Sequence, residues 1–158
     1  MRRPNLLRLT FALGLLLALL GCGNGNQVKP ANLSGNWTAN LQKANGSTVF
    51  SFSSSITEVG NTVLNVSGVS FNPATSCFQS QVSASGIAQF SSSGYGYYTG
   101  GGVTVMSLTV KGLAAGGGAD TLTLQGSANP DNSISGTWTL NGVSATCSGS
   151  GGFTMTRH

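Results

Sequence analysis

From Leu33 to Met155 apolar residues recur at nearly every second position, with serine, threonine and asparagine between them. Successive side chains of an extended strand point to opposite faces, so a period of two describes ribbons with one buried face and one wet face. No window of a dozen residues in this region sustains the 3.6-residue period of a helix. Turn-forming clusters interrupt the alternation at Asn45-Gly46, Gly60-Asn61, Asn72-Pro73, Asn129-Pro130-Asp131 and Asn141-Gly142, and glycine runs do so at 100–102 and 116–118. Glycine and asparagine tolerate the left-handed backbone that tight turns need, and proline ends a hydrogen-bonded ladder. Eight strands are therefore expected at 34–42, 48–59, 62–69, 78–90, 102–111, 120–128, 133–141 and 150–157. The fold class is all-β. Short turns between consecutive strands point to an eight-stranded antiparallel up-and-down barrel, because closure leaves no exposed strand edge. A β-sandwich is the alternative.

The bulky residues share one parity: Trp37 and Leu41; Phe50, Phe52 and Ile56; Leu64 and Val66; Phe78, Val82 and Phe90; Met106, Leu108 and Val110; Leu122 and Leu124; Ile134, Trp138 and Leu140; Phe153 and Met155. The other parity is dominated by threonine and serine. Since charged residues make up only 6% of the chain, solubility has to come from hydroxyl groups.

The first 21 residues follow a different rule. Arg2, Arg3 and Arg8 precede an apolar run from Leu9 to Leu20, broken only by Thr10 and Gly14. The run falls short of the roughly 20 apolar residues that span a bilayer core, and a basic start before a short apolar run is the pattern of an export signal. It ends in Leu19-Leu20-Gly21-Cys22, which resembles the lipobox of bacterial lipoproteins. The resemblance implies a signal peptide over 1–21, a lipidated tether over 22–32 and a single domain over 33–158. It further implies that Cys22 becomes the first residue of the mature chain and carries acyl groups such as palmitate. More than one acyl chain is needed for stable anchoring, so the membrane is the expected partner of the N-terminus. Gly23 and Asn24 supply no aspartate after the cysteine, which in such lipoproteins implies the outer membrane, with the leaflet left open.

Removal of the signal changes the meaning of the formal charge of +4. Three arginines leave with it, and Lys29, Lys43, Lys111 and Arg157 then face Glu58, Asp120 and Asp131. No basic patch remains to neutralise a row of phosphates, so nucleic acid is not an expected partner.

Ser34-Gly35-Asn36-Trp37-Thr38 and Ser135-Gly136-Thr137-Trp138-Thr139 repeat one another. In an up-and-down barrel they fall on strands one and seven, which run the same way. Both tryptophans are therefore expected to enter from one end and flank strand eight, which finishes there with Arg157. Gly35-x-Trp37 and Arg157 resemble the pair that marks the calycin superfamily of lipocalins, fatty-acid-binding proteins and avidins, and Phe153-Thr-Met-Thr-Arg157 resembles the last strand of avidins. The resemblance implies a calycin-like barrel in which Trp37 and Arg157 form a structural, barrel-closing pair. Ala39 stands where an avidin carries an asparagine ligand, so biotin is not implied.

Without Cys22, the cysteines are Cys77 and Cys147, an even pair that reads as one disulfide in an exported domain. They precede strands four and eight, so both lie at the same barrel end, yet those strands stand on opposite sides. A disulfide needs Cα atoms within about 7 Å. The loop 71–76 or the loop 143–146 must then fold across the mouth as a stapled lid. Two cysteines without a neighbouring histidine are not expected to hold a metal, and no cofactor is expected. Catalysis needs a nucleophile with a base, paired carboxylates or a metal. Here the histidine is His158, the last residue and expected to fray, while Glu58, Asp120 and Asp131 read as turn or edge residues. Tyr95, Tyr97 and Tyr98, on a glycine-flexed loop at the tether end, form a candidate binding surface. The expected function is that of a non-catalytic, monomeric envelope lipoprotein with a structural or interaction role, its partner an envelope protein. The alternative is a lipocalin-like carrier of a small apolar ligand, which requires a hollow interior.

Overall fold

The turn chemistry and the two-residue period place the strand boundaries within a few residues of where they form. In a computed structural model of the chain, which describes residues 32–60, 62–91 and 103–158, the strands are β1 (Gly35–Gln42), β2 (Thr48–Val59), β3 (Val63–Asn72), β4 (Ser80–Ser91), β5 (Val103–Leu113), β6 (Ala119–Ala128), β7 (Ile134–Asn141) and β8 (Gly149–Arg157). Each pairs antiparallel with the next, and β8 returns to β1, so the meander closes into an eight-stranded up-and-down barrel. The sandwich alternative is thereby excluded. Cys22 and the candidate loop residues Tyr95, Tyr97 and Tyr98 lie outside the described residues.

The inward parity is the apolar one. Trp37, Leu41, Phe52, Ile56, Leu64, Leu122, Leu124 and Ile134 are all buried, joined by Leu33, Ala39 and Ala88, which are too small or too close to a strand end to stand out in the alternation. A lumen large enough for a ligand would leave its lining atoms accessible. Met106, Leu108, Val110, Leu122, Leu124, Ile134 and Met155 have 0% exposure, so among the described residues the β5–β8 side of the interior is filled by side chains, as in the packed state of an eight-stranded barrel.

β3 runs three residues beyond its expected end because of a bulge. Ser53 pairs with Ser70 and Ser55 with Ser67, which leaves one extra residue on β3. Gly68 absorbs it with a φ of 63°, a left-handed conformation that glycine adopts without a Cβ clash. The extra residue reverses the parity, so after Leu64 and Val66 the inward positions become Val69 and Phe71. The Phe71 ring meets Phe50 and Phe52 at 5.6 Å and stacks on Phe78 at 4.8 Å with only 6° between the planes.

A second irregularity, at Gln81 with φ of 50°, adds a residue to β4 opposite β5. Between the two bulges β3 and β4 part: they pair only from Val63–Val66 to Ala84–Ile87. The stacked Phe71 and Phe78 stand in the seam, beside a cleft of about 500 Å³ that Val69, Gln79 and Val82 also line.

Ser54 lies on the inward face of β2 between Phe52 and Ile56, 4% exposed, and its hydroxyl has no hydrogen-bond partner. Leaving a buried hydroxyl unpaired costs about 1 to 3 kcal/mol. Ser54→Ala is expected to raise the stability by about 1 kcal/mol, seen as a higher urea midpoint at unchanged slope.

Candidate functional site

The polar and reactive groups of the barrel gather at its two ends. At the end away from the N-terminus, two segments cross the mouth. The first, residues 73–79, leaves β3 at Pro73 and is fastened to the β5–β6 turn, the Ala115 N–H donating to the Ser76 carbonyl and the Gln79 N–H to the Leu113 carbonyl, each at 2.8 Å. The second, residues 142–148, holds a one-turn 3₁₀ segment, Ala145–Cys147. Cys77 and Cys147 join them in a disulfide with Cα atoms 5.5 Å apart. Both cysteines are buried. Both loops thus contribute to the lid.

Beneath the staple lies Asp120, at 0% exposure. Its Oδ1 accepts the Val143 N–H at 2.9 Å and so pins the second lid segment to β6, while its Oδ2 has no hydrogen-bond partner. The Cys77 and Cys147 sulfurs and an Asp120 carboxylate oxygen all lie within 4.8 Å of one another. Gly142 makes this approach feasible, since a Cβ there would come within 2.9 Å of Asp120 Cγ and collide with the Cys147 backbone. The sequence context of Asp120 reads as that of a turn or edge residue. The signal that finds it is parity, because Asp120, Leu122 and Leu124 alternate on one face, and that face is the interior.

A cleft of about 820 Å³ opens beside the lid, with Phe50, Cys77, Trp138 and Leu140 at its base and Lys43 and Thr146 nearer its rim. Trp138 is itself buried, and its indole N–H donates to the Gln42 carbonyl at 2.9 Å, reaching across β8 to the end of β1. Gly151 permits the crossing, because a Cβ at that position would collide with the Gln42 carbonyl oxygen.

The other end holds the first described residues, Asn32 and Leu33. Leu33 is buried there, its N–H donating to Glu58 Oε2 at 3.1 Å and its carbonyl accepting the Trp37 indole N–H at 2.8 Å. The Arg157 guanidinium lies over the Trp37 ring with its central carbon 4.9 Å from the centroid, and it also donates to the Asn32 carbonyl. His158 does not fray: its N–H donates to the Asn36 carbonyl and its ring nitrogen meets the Thr38 hydroxyl, both at 2.9 Å.

The two tryptophans do not share this end. Trp37 is in register with Arg157, whereas Trp138 is in register with Gly151, six residues earlier on β8 and therefore about 20 Å along the strand. Equal strand direction sets which way the repeated segments run, but β1 and β7 are staggered against β8, so that equivalent positions of the two segments sit six residues apart on it. The pair guards opposite ends of β8.

The described carboxylates are spread apart in role. Glu58 fastens the tether end and Asp120 the lid, while exposed Asp131 sits in the β6–β7 turn, where the Ser133 hydroxyl and amide bonds, at 2.6 and 2.9 Å, hold its carboxyl below the ordinary range. What that turn adds to stability is present above the usual aspartate range and is lost as the pH falls through the lowered value. No family description matches the chain, and neither a curated protein nor a solved structure matches it.

Two outcomes test these ends. Replacing both Cys77 and Cys147 by serine opens a loop of sequence separation 70 and is expected to cost about 4 kcal/mol in the chain-entropy account, read from urea unfolding. Arg157→Ala is expected to cost about 1 kcal/mol by loss of the cation–π contact, with Arg157→Lys recovering part of it.

Proposed function

We propose that the chain is a non-catalytic lipoprotein of the cell envelope, anchored in the outer membrane by acyl groups on Cys22 and acting as a structural or interaction module. The filled interior carries this reading. Seven inward residues at 0% exposure line no accessible lumen, which supports a domain that offers other molecules its outside and its ends. The calycin-like character of the barrel is part of the same proposal, and its support is the Trp37–Arg157 contact that closes the tether end.

The fastening of Leu33 supports the anchor geometry. A tether over 22–32 would join the barrel at Asn32 and Leu33, where Glu58, Trp37 and Arg157 hold the backbone. The stapled lid and its cleft lie at the opposite end, so in an anchored protein they face away from the membrane, toward an envelope partner.

The test is fractionation of the full chain with its signal. The natural protein is expected in the membrane fraction, with an N-terminal peptide whose mass carries acyl groups on Cys22. Cys22→Ser is expected to move it to the soluble fraction with the barrel intact. An unmodified Cys22, or a Cys22→Ser protein that stays on the membrane, would overturn the anchor.

A further inference from the structure

We propose that the lid is a redox-gated site for a thiophilic divalent cation such as zinc, whose ligands are Cys77, Cys147 and Asp120 once the disulfide is reduced. The proposal is independent of the lipid anchor and concerns chemistry that the oxidised lid hides.

Three donors are already assembled. The two sulfurs and a carboxylate oxygen lie within 4.8 Å of one another. With metal–sulfur bonds of about 2.3 Å and metal–oxygen bonds of about 2.0 to 2.2 Å, a tetrahedral ion holds its ligands roughly 3.5 to 4 Å apart. Breaking the sulfur–sulfur bond lets the sulfurs part to that spacing, and little else has to move. The donor set of two thiolates and a carboxylate suits zinc and its thiophilic neighbours over calcium or magnesium, which take oxygen ligands.

The carboxylate supplies a second and independent observation. Asp120 is fully buried and its Oδ2 has no hydrogen-bond partner, although Oδ1 is held by the Val143 amide. An unpaired oxygen of a buried acid is costly, and this one belongs to a carboxylate beside the only disulfide among the described residues. The Val143 bond fixes the orientation of the carboxylate in the way that outer partners commonly fix metal ligands. Cys77 lies in the wall of the 820 Å³ cleft, the side from which a reductant, the ion and a fourth ligand such as water would approach.

The chemistry balances in two steps. A dithiol reductant delivers two electrons and two protons to the disulfide and leaves as its own disulfide, so that Cys77 and Cys147 become thiols. The divalent cation then displaces the two thiol protons to solvent and takes both sulfurs together with the Asp120 oxygen. Reoxidation by a disulfide oxidant expels the ion and restores the staple.

The experiment uses the full chain carrying Cys22→Ser, so that a third thiol does not compete and the outcome does not depend on lipidation. The protein is reduced with a phosphine, which takes up an oxygen from water as the disulfide becomes two thiols, and is then titrated anaerobically with cobalt(II) and zinc(II). One cobalt per chain with sulfur-to-cobalt charge-transfer absorption is expected in the reduced protein, displaced by zinc, and none in the oxidised protein. Asp120→Asn, nearly isosteric, is expected to weaken the reduced site by about 10- to 100-fold or more, and Asp120→Ser serves if the asparagine variant fails to fold. Cys147→Ser is expected to abolish the charge-transfer band. The proposal is overturned if the reduced chain binds no stoichiometric metal, if the Asp120 variants bind as tightly as the parent, or if the oxidised protein binds equally well. Should reduction unfold the barrel, recovery of its circular dichroism on adding zinc supports the site, and failure to recover refutes it.

Discussion

The barrel depends on the pairing of its first strand with its last. Seven of the eight strand contacts join neighbours in sequence. The eighth brings Trp37 opposite Arg157 and Gln42 opposite Gly152, across most of the domain. Two tryptophans secure that join from opposite ends of β8: Trp37 beneath the Arg157 guanidinium, and Trp138 through its bond to the Gln42 carbonyl. Opening this seam would present two long strand edges to other chains and expose a core that has no lumen to hide it. Closure and filling are thus one constraint, because the inward side chains pack only when the circle is complete.

Much of this was legible from the two-residue period and the turn residues. The alternation from Leu33 to Met155 distinguishes inside from outside, and short Asn-Gly turns imply sequential pairing. Their places before strands four and eight of a meander put Cys77 and Cys147 at one end, and the distance limit on a disulfide then requires a lid. What escaped the sequence reading involves local breaks in the period. Gly68 reverses the parity of β3 and brings in Phe71, which alternation from Leu64 assigns to the outside. Depth along the barrel axis is likewise invisible to parity, so Trp138 lies about 20 Å along β8 from the position that its repeat with Trp37 suggests.

Asp120 teaches a different lesson. Its parity is that of Leu122 and Leu124, and the alternation places it inside, yet an acid after a glycine run also fits a turn. Burial resolves the conflict in favour of the interior, at the cost of a carboxylate oxygen without a partner. Among the described residues, Arg157 and Glu58 stand at the opposite end and Asp131 in its turn. A buried acid under a disulfide is the exception to the chain's economy of charge.

The central claim is that the closed barrel is filled and works through its surface and ends. Native mass spectrometry of the Cys22→Ser protein, purified from cells without delipidation, tests it most directly. The account predicts the mass of the bare chain with its disulfide intact. A stoichiometric non-covalent lipid or other small apolar adduct, lost on denaturation, would contradict it and return the barrel to the class of carriers.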